Sequence, residues 1–103
     1  MINKPKITDS HCHLDFPDFN DDRSEVINNA LQNGVRRMVT ICTRLKNEPI
    51  VRKISEDYEA VYYAAGNHPM SVSSEPMANL NELISLSKHP KFIAIGETGL
   101  DYY

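Results

Sequence analysis

Four short runs rich in β-branched and aromatic residues, separated by stretches of helical spacing, restrict this chain to a narrow set of folds. The runs are Lys6-Ile7-Thr8, Met38-Val39-Thr40-Ile41-Cys42-Thr43, Ala60-Val61-Tyr62-Tyr63-Ala64-Ala65 and Phe92-Ile93-Ala94-Ile95. After the first, Asp22 and Glu25 resemble a capping box, and Val26, Ile27, Ala30 and Leu31 recur at helical spacing until Gly34. A second helix enters at Asn47-Glu48-Pro49, where proline is tolerated in the first turn, and carries Ile50, Val51, Ile54 and Tyr58. A third opens at Pro76 with Met77, Leu80, Leu83 and Ile84 inward, and stops at His89-Pro90 because a residue before proline resists helical geometry. The order is strand, helix, strand, helix, strand, helix, strand. Nearly continuous apolar strands in that alternation predict an α/β fold, a parallel βαβαβαβ sheet joined by right-handed crossovers.

The residues able to do chemistry follow the strands. His11 and His13 come after the first, Arg44 and Lys46 after the second, His68 after the third, and Glu97 and Asp101 after the fourth. In parallel α/β folds the carboxyl ends of the strands share one rim, where active sites are built. The pattern therefore gathers four segments at one place. A four-strand sheet of this kind is either open or part of a barrel, and a complete (β/α)8 barrel needs about 250 residues. With 103 residues the chain has the parts for half of one, as a single unit over 1–103. It ends without the helix expected after the fourth strand, which reads as truncation or as a half that needs a partner half.

His11 and His13 lie two residues apart, so in extended backbone their imidazoles project from one face, with Cα atoms about 6.6 Å apart. Rings converging from that separation can each reach a metal at about 2.0 Å. Cys12 points the other way and is expected to be a small buried residue beside the site. A His-x-His pair alone is equally compatible with packing or hydrogen bonding. Its weight comes from the other strand ends.

Composition narrows the function by exclusion. The chain is 41% hydrophobic and 24% charged, with four glycines and six prolines, which is ordinary for a globular domain and unlike a disordered segment. A net charge of −3 disfavours bulk electrostatic binding of nucleic acid, though not local contact with it. No run is apolar enough to span a bilayer, and the polar start carries no leader-like segment, so a cytoplasmic location is expected. Cys12 and Cys42 are too sparse for a disulfide framework and read as free thiols.

Three motifs in order, Asp9-Ser10-His11-Cys12-His13-Leu14-Asp15, Gly66-Asn67-His68-Pro69 and Gly96-Glu97-Thr98-Gly99-Leu100-Asp101-Tyr102-Tyr103, resemble the TatD family of metal-dependent hydrolases. That family belongs to the amidohydrolase-like barrels and includes deoxyribonucleases. The resemblance implies the first half of a (β/α)8 barrel, in which His11 and His13 bind one divalent cation and Glu97 bridges it to a second. Zinc, manganese or magnesium suits such a donor set, and a pair of ions clamps the oxygens of an in-line phosphoryl displacement. His68 corresponds to a histidine near the metals, implying a binding or proton-transfer role; a loop histidine bonded to backbone is the alternative.

Glu97 can alternatively cap a following helix, but Gly96 and Gly99 suggest a tight loop that brings backbone close to something. Asp101 is either an orienting residue behind the ligands or a helix cap. Arg44 is placed to meet a substrate phosphate, whereas Lys46 is better explained by solubility, and Arg36 and Arg37 enter the second strand away from the site.

Family members supply two further histidines and an aspartate from later strands, beyond the end of this chain. The expected function is a phosphodiester hydrolase acting on DNA from its end, weak or inactive without the missing carboxy-terminal half of the barrel. Carbon–nitrogen bond hydrolysis, which also begins with His-x-His, and a non-catalytic truncated product are the competing readings. A zinc-finger site is disfavoured because the ligands sit at strand ends.

Overall fold

The computed structural model describes residues 6–71 and 80–99. Its strands are β1 (Ile7–Cys12), β2 (Val35–Cys42), β3 (Val61–Ala65) and β4 (Phe92–Ile95), interleaved with helices α1 (Arg23–Gln32), α2 (Glu48–Asp57) and α3 (Leu80–Leu86). The strands lie in the order β1-β2-β3-β4, and every pairing is parallel. The expected alternation is thus the observed one.

Side chains alternate across the sheet, and the two faces carry separate cores. On the helical face, Leu14, Ile27, Met38, Ile54 and Val61 form one cluster, and Cys42, Val51, Tyr63, Ala65 and Phe92 a second. On the other face Val39, Ile41 and Ala64 pack together. β1 and β4 are the edges of the described sheet, and Ile7, Ile93 and Ile95 are exposed there.

Two side chains tie α2 to the sheet. Glu48, only 2% exposed, accepts a hydrogen bond from the Tyr63 hydroxyl at 2.6 Å and faces Arg52 Nε at 3.5 Å, so its buried carboxylate is paired. At the opposite end Lys91 Nζ donates to the carbonyls of Ser55 (3.1 Å), Tyr58 (3.2 Å), Glu59 (2.8 Å) and Val61 (2.7 Å). The last carbonyls of a helix have no partner within it, and a cation there also opposes the helix dipole. Lys91 immediately precedes β4, so this contact ties the start of β4 to the end of α2.

Several elements depart from expectation in their detail. β1 runs on through His11 to Cys12, and β2 begins at Val35, taking in Arg36 and Arg37. Asp22 occupies the N-cap of α1 without a side-chain cap bond. A hydrogen bond from its N–H to Phe19 O (3.2 Å) holds its backbone in a turn, at φ −134° and ψ 17°, outside the extended region that capping favours. Leu31 and Ile50 are exposed, so the buried stripes of α1 and α2 are narrower than the spacing suggests. In α3, Leu80 and Ile84 are also exposed, and Leu86 makes the contact with the core instead. That helix lies where the described sheet ends, with less surface to cover its flank. Pro76 and Met77 lie outside the described residues.

Candidate metal centre

The first two ligand candidates are delivered by an irregularity in β1. Its pairing with β2 slips between Asp9 and Cys12, and Asp9 Oδ1 accepts the backbone N–H of His11 at 3.0 Å within that stretch. Cys12 turns away as expected, placing Sγ 3.5 Å from Val39 O and packing against the core of the helical face. Just past His13, Leu14 is buried. Its N–H donates to the Thr40 hydroxyl at 3.0 Å and its carbonyl accepts Arg23 Nε at 2.5 Å, so β2 and α1 both grip the segment that carries His13.

β3 and β4 bring the other two groups to the same rim. His68 N–H donates to Thr43 O at 3.1 Å, and Gly96 N–H donates to Ala65 O at 3.1 Å, which carries the β3 and β4 exits alongside their neighbours. Gly66 explains how close they come. A Cβ at that position would lie 3.1 Å from Glu97 O and 3.2 Å from Gly96 C, both unyielding backbone atoms. The close approach expected at Gly96 belongs to Gly66; a Cβ on Gly96 meets nothing within 4 Å. Gly99, at φ +145°, does occupy backbone space suited to glycine.

Glu97 stands among three imidazoles. Its Oε2 is 3.2 Å from His11 Nε2 and 4.0 Å from His13 Nε2, while Oε1 is 3.2 Å from His68 Nε2. The ligand atoms of His11, His13 and Glu97 all lie within 4.8 Å of one another. Two imidazoles and a carboxylate at that spacing suit one divalent cation bound at about 2.0–2.2 Å from each after small side-chain adjustments. The residues present therefore fit a metal.

The far ring nitrogens of His13 and His68 have different partners. His13 Nδ1 lies 3.4 Å from the Ile41 carbonyl, an acceptor, so the neutral ring carries its proton there and keeps a lone pair on Nε2. His68 is the reverse: its Nδ1 accepts the N–H of Met70 at 3.1 Å, which leaves the proton on Nε2, facing Glu97.

The surroundings are partly desolvated. Burial, with Asp9 and Asp15 adding to it, pushes the Cys12 thiol up to about 12. Burial likewise raises Cys42 to about 12, and both cysteines are free thiols that stay protonated at neutral pH. Burial also lifts the Asp15 carboxyl above its ordinary value, against the opposing pull of its own backbone N–H, His13 and Arg23.

Of the remaining candidates, Arg44 leaves β2 at this rim and is exposed, as is Lys46. Asp101 lies outside the described residues. His89 packs its ring 5.9 Å from that of Tyr63 and accepts the Lys91 N–H, in keeping with a structural part. Thr40 and Arg23 were not legible as supports of the His-x-His segment, since no local motif links them to Leu14.

A parallel sheet that carries a His-x-His and carboxylate cluster at the carboxyl ends of its strands defines an α/β protein with a candidate metal site. Comparison with known proteins narrows it: the model of the TatD related DNase family matches residues 8–103, and the chain belongs to that family. It is 36% identical over 106 residues to the uncharacterized metal-dependent hydrolase BU355 of Buchnera aphidicola, covering 94% of this chain and 40% of that protein. The crystal structure of the TatD homologue YjjV from Escherichia coli superposes with a TM-score of 0.81 at 33% identity, covering 94% of this chain and 38% of that one. The 3′-5′ ssDNA/RNA exonuclease TatD of Shigella flexneri is 31% identical over 94 residues, covering 91% of this chain and 36% of the relative. The chain thus spans about 40% of the length of such relatives and corresponds to the amino-terminal portion of their (β/α)8 barrel. No helix among the described residues is long and apolar enough to cross a membrane.

Proposed function

We propose that residues 1–103 form one unit, the amino-terminal half of a divalent-metal-dependent phosphodiester hydrolase that removes nucleotides from the end of DNA. The observation that carries this reading is the sorting of roles around Glu97. Its Oε2 faces the two imidazoles of the His-x-His pair, and its Oε1 faces a ring that presents a proton. One carboxylate oxygen is thereby directed toward a cation and the other toward an acid.

In this reading His11, His13 and Glu97 would hold one cation, and Glu97 would also help to hold a second. Divalent ions supply positive charge for the phosphoryl oxygens and acidify a water for attack. His68 holds a proton on Nε2 for a phosphoryl oxygen or the departing group. Arg44 meets a neighbouring phosphate, and an orienting role is assigned to Asp101. The name of the Shigella relative supports single-stranded DNA or RNA as the substrate class, and the free cysteines accord with a reducing cytoplasm. The 103-residue chain is expected to bind metal more weakly and to turn over less than a chain extended through the strands its relatives carry.

The test is metal-dependent hydrolysis of single-stranded DNA and of bis-p-nitrophenyl phosphate. The 103-residue chain is compared with one extended through the strands that its relatives carry, each beside a double His11→Ala, His13→Ala variant. Activity in the extended chain, lost in the variant and weak in the short form, is the expected result. An extended chain inactive on both substrates with saturating manganese or zinc would move the carbon–nitrogen hydrolase reading ahead.

A further inference from the structure

Among the described residues Phe16 is the aromatic that the fold leaves exposed, at 41%; Tyr63 and Phe92 are buried, and Phe19, Tyr58 and Tyr62 are half-buried. Anchoring the loop does not require it, because Leu14, 4% exposed, already plugs the segment into the core. The ring lies flat on that of His13 instead, with centroids 4.7 Å apart and planes inclined by 13°. His13 in turn directs Nε2 toward Glu97. An exposed apolar ring therefore sits one imidazole away from the proposed hydrolytic centre.

Its backbone is also constrained. Phe16 precedes Pro17 and has extended dihedrals, φ −59° and ψ 140°, as a residue before proline prefers. Phe19 N–H closes the following turn on Phe16 O at 2.9 Å. Little ordering remains to be done when a second flat ring arrives, which is the condition under which stacking contributes fully to affinity.

We infer that Phe16 is a stacking platform for a nucleobase next to the scissile phosphate, received on the ring surface that His13 does not cover. The inference rests on the phosphodiester reading above and adds a substrate contact to it. Base–aromatic stacking tolerates any base, because every base has a π-face. Phe16 accordingly favours nucleotides over base-free phosphodiesters without choosing among sequences.

The experiment uses the extended chain with manganese and four dinucleotides, carrying thymine on both sides of the phosphodiester, on the 5′ side, on the 3′ side, or on neither. Phe16→Leu keeps apolar bulk but removes the flat ring, and Phe16→Trp restores one. Phe16→Leu is expected to raise KM about tenfold on the substrates with the stacked base, within the range of alanine substitutions at such platforms. Phe16→Trp should stay near wild type, the base-free substrate should be indifferent to both changes, and manganese affinity should be unaltered. Equal KM values for all three proteins on base-bearing substrates overturn the inference while leaving the hydrolase reading intact. An equal loss on all four substrates, with or without weaker metal binding, also overturns it, since the ring would then merely steady His13. Absence of metal-dependent turnover in the unsubstituted extended chain defeats the phosphodiester reading, and this inference with it.

Discussion

His68 Nε2 lies 3.2 Å from Glu97 Oε1 while His68 Nδ1 accepts the N–H of Met70, so the ring meets the carboxylate as a donor. His13 Nδ1 instead faces the Ile41 carbonyl at 3.4 Å, a contact that favours the opposite tautomer. Nitrogen NMR of the metal-free chain, at a pH where both rings are neutral, should show His68 protonated at Nε2 and His13 at Nδ1. Finding the same tautomer at both positions would remove the distinction between donor and ligand.

Gly66 controls where Glu97 lies. Gly66→Ala places a methyl group about 3.1–3.2 Å from the backbone of Gly96 and Glu97, forcing the β4 exit outward. Overpacking of this kind typically costs about 1–3 kcal/mol. Urea unfolding should show a loss in that range, with zinc affinity falling at least tenfold. Unchanged zinc binding would mean that the close approach does not position the carboxylate.

The Tyr63–Glu48 hydrogen bond is buried at both ends. Tyr63→Phe removes the donor and leaves Glu48 with only the longer contact to Arg52. An under-satisfied buried acceptor costs about 1–3 kcal/mol, more when charged. Denaturant unfolding at pH 7 should report that loss, and a stability within 0.5 kcal/mol (roughly the noise of surface changes) would show that the pair is dispensable.

Lys91→Met retains the apolar stem and abandons four carbonyls at the end of α2 and the start of β3. Hydrogen bonds to charged groups contribute roughly 1.5–3 kcal/mol, while burial, by lowering the ammonium pKa, takes back part of that gain. A net loss of about 2 kcal/mol is expected, together with faster amide exchange in β4, because the lysine ties the start of that strand to the end of α2. Exchange accelerated only in α2 would confine its effect to that helix.

The alternation of strands and helices was legible because each strand is a short, almost uninterrupted apolar run, and the rim followed from it because chemistry-bearing residues come after each run. His11, His13, His68 and Glu97 were legible for that reason, and meet as expected. What escaped depends on contacts distant in sequence. The length of β1 is set by pairing with β2, not by the polarity of Asp9, Ser10 and His11. The exposed flank of α3 follows from the end of the sheet, which helical spacing does not reveal. The hydroxyl of Thr40 reaches Leu14 across 26 positions, and the tautomer of His68 depends on the Met70 N–H. The close approach of Gly66 to Glu97 appears only when β3 and β4 are paired.

The central claim is that His11, His13 and Glu97 hold a divalent cation while His68 serves as a proton donor beside it. Calorimetric titration with zinc of the wild-type chain, His13→Ala, Glu97→Gln and His68→Ala tests it most directly. The account predicts one saturable site in the wild type, weakened at least tenfold by His13→Ala and by Glu97→Gln and changed less than threefold by His68→Ala, in line with the 10–100-fold losses seen around metal sites. A wild-type isotherm that His13→Ala leaves unmoved, or that His68→Ala abolishes, would contradict it.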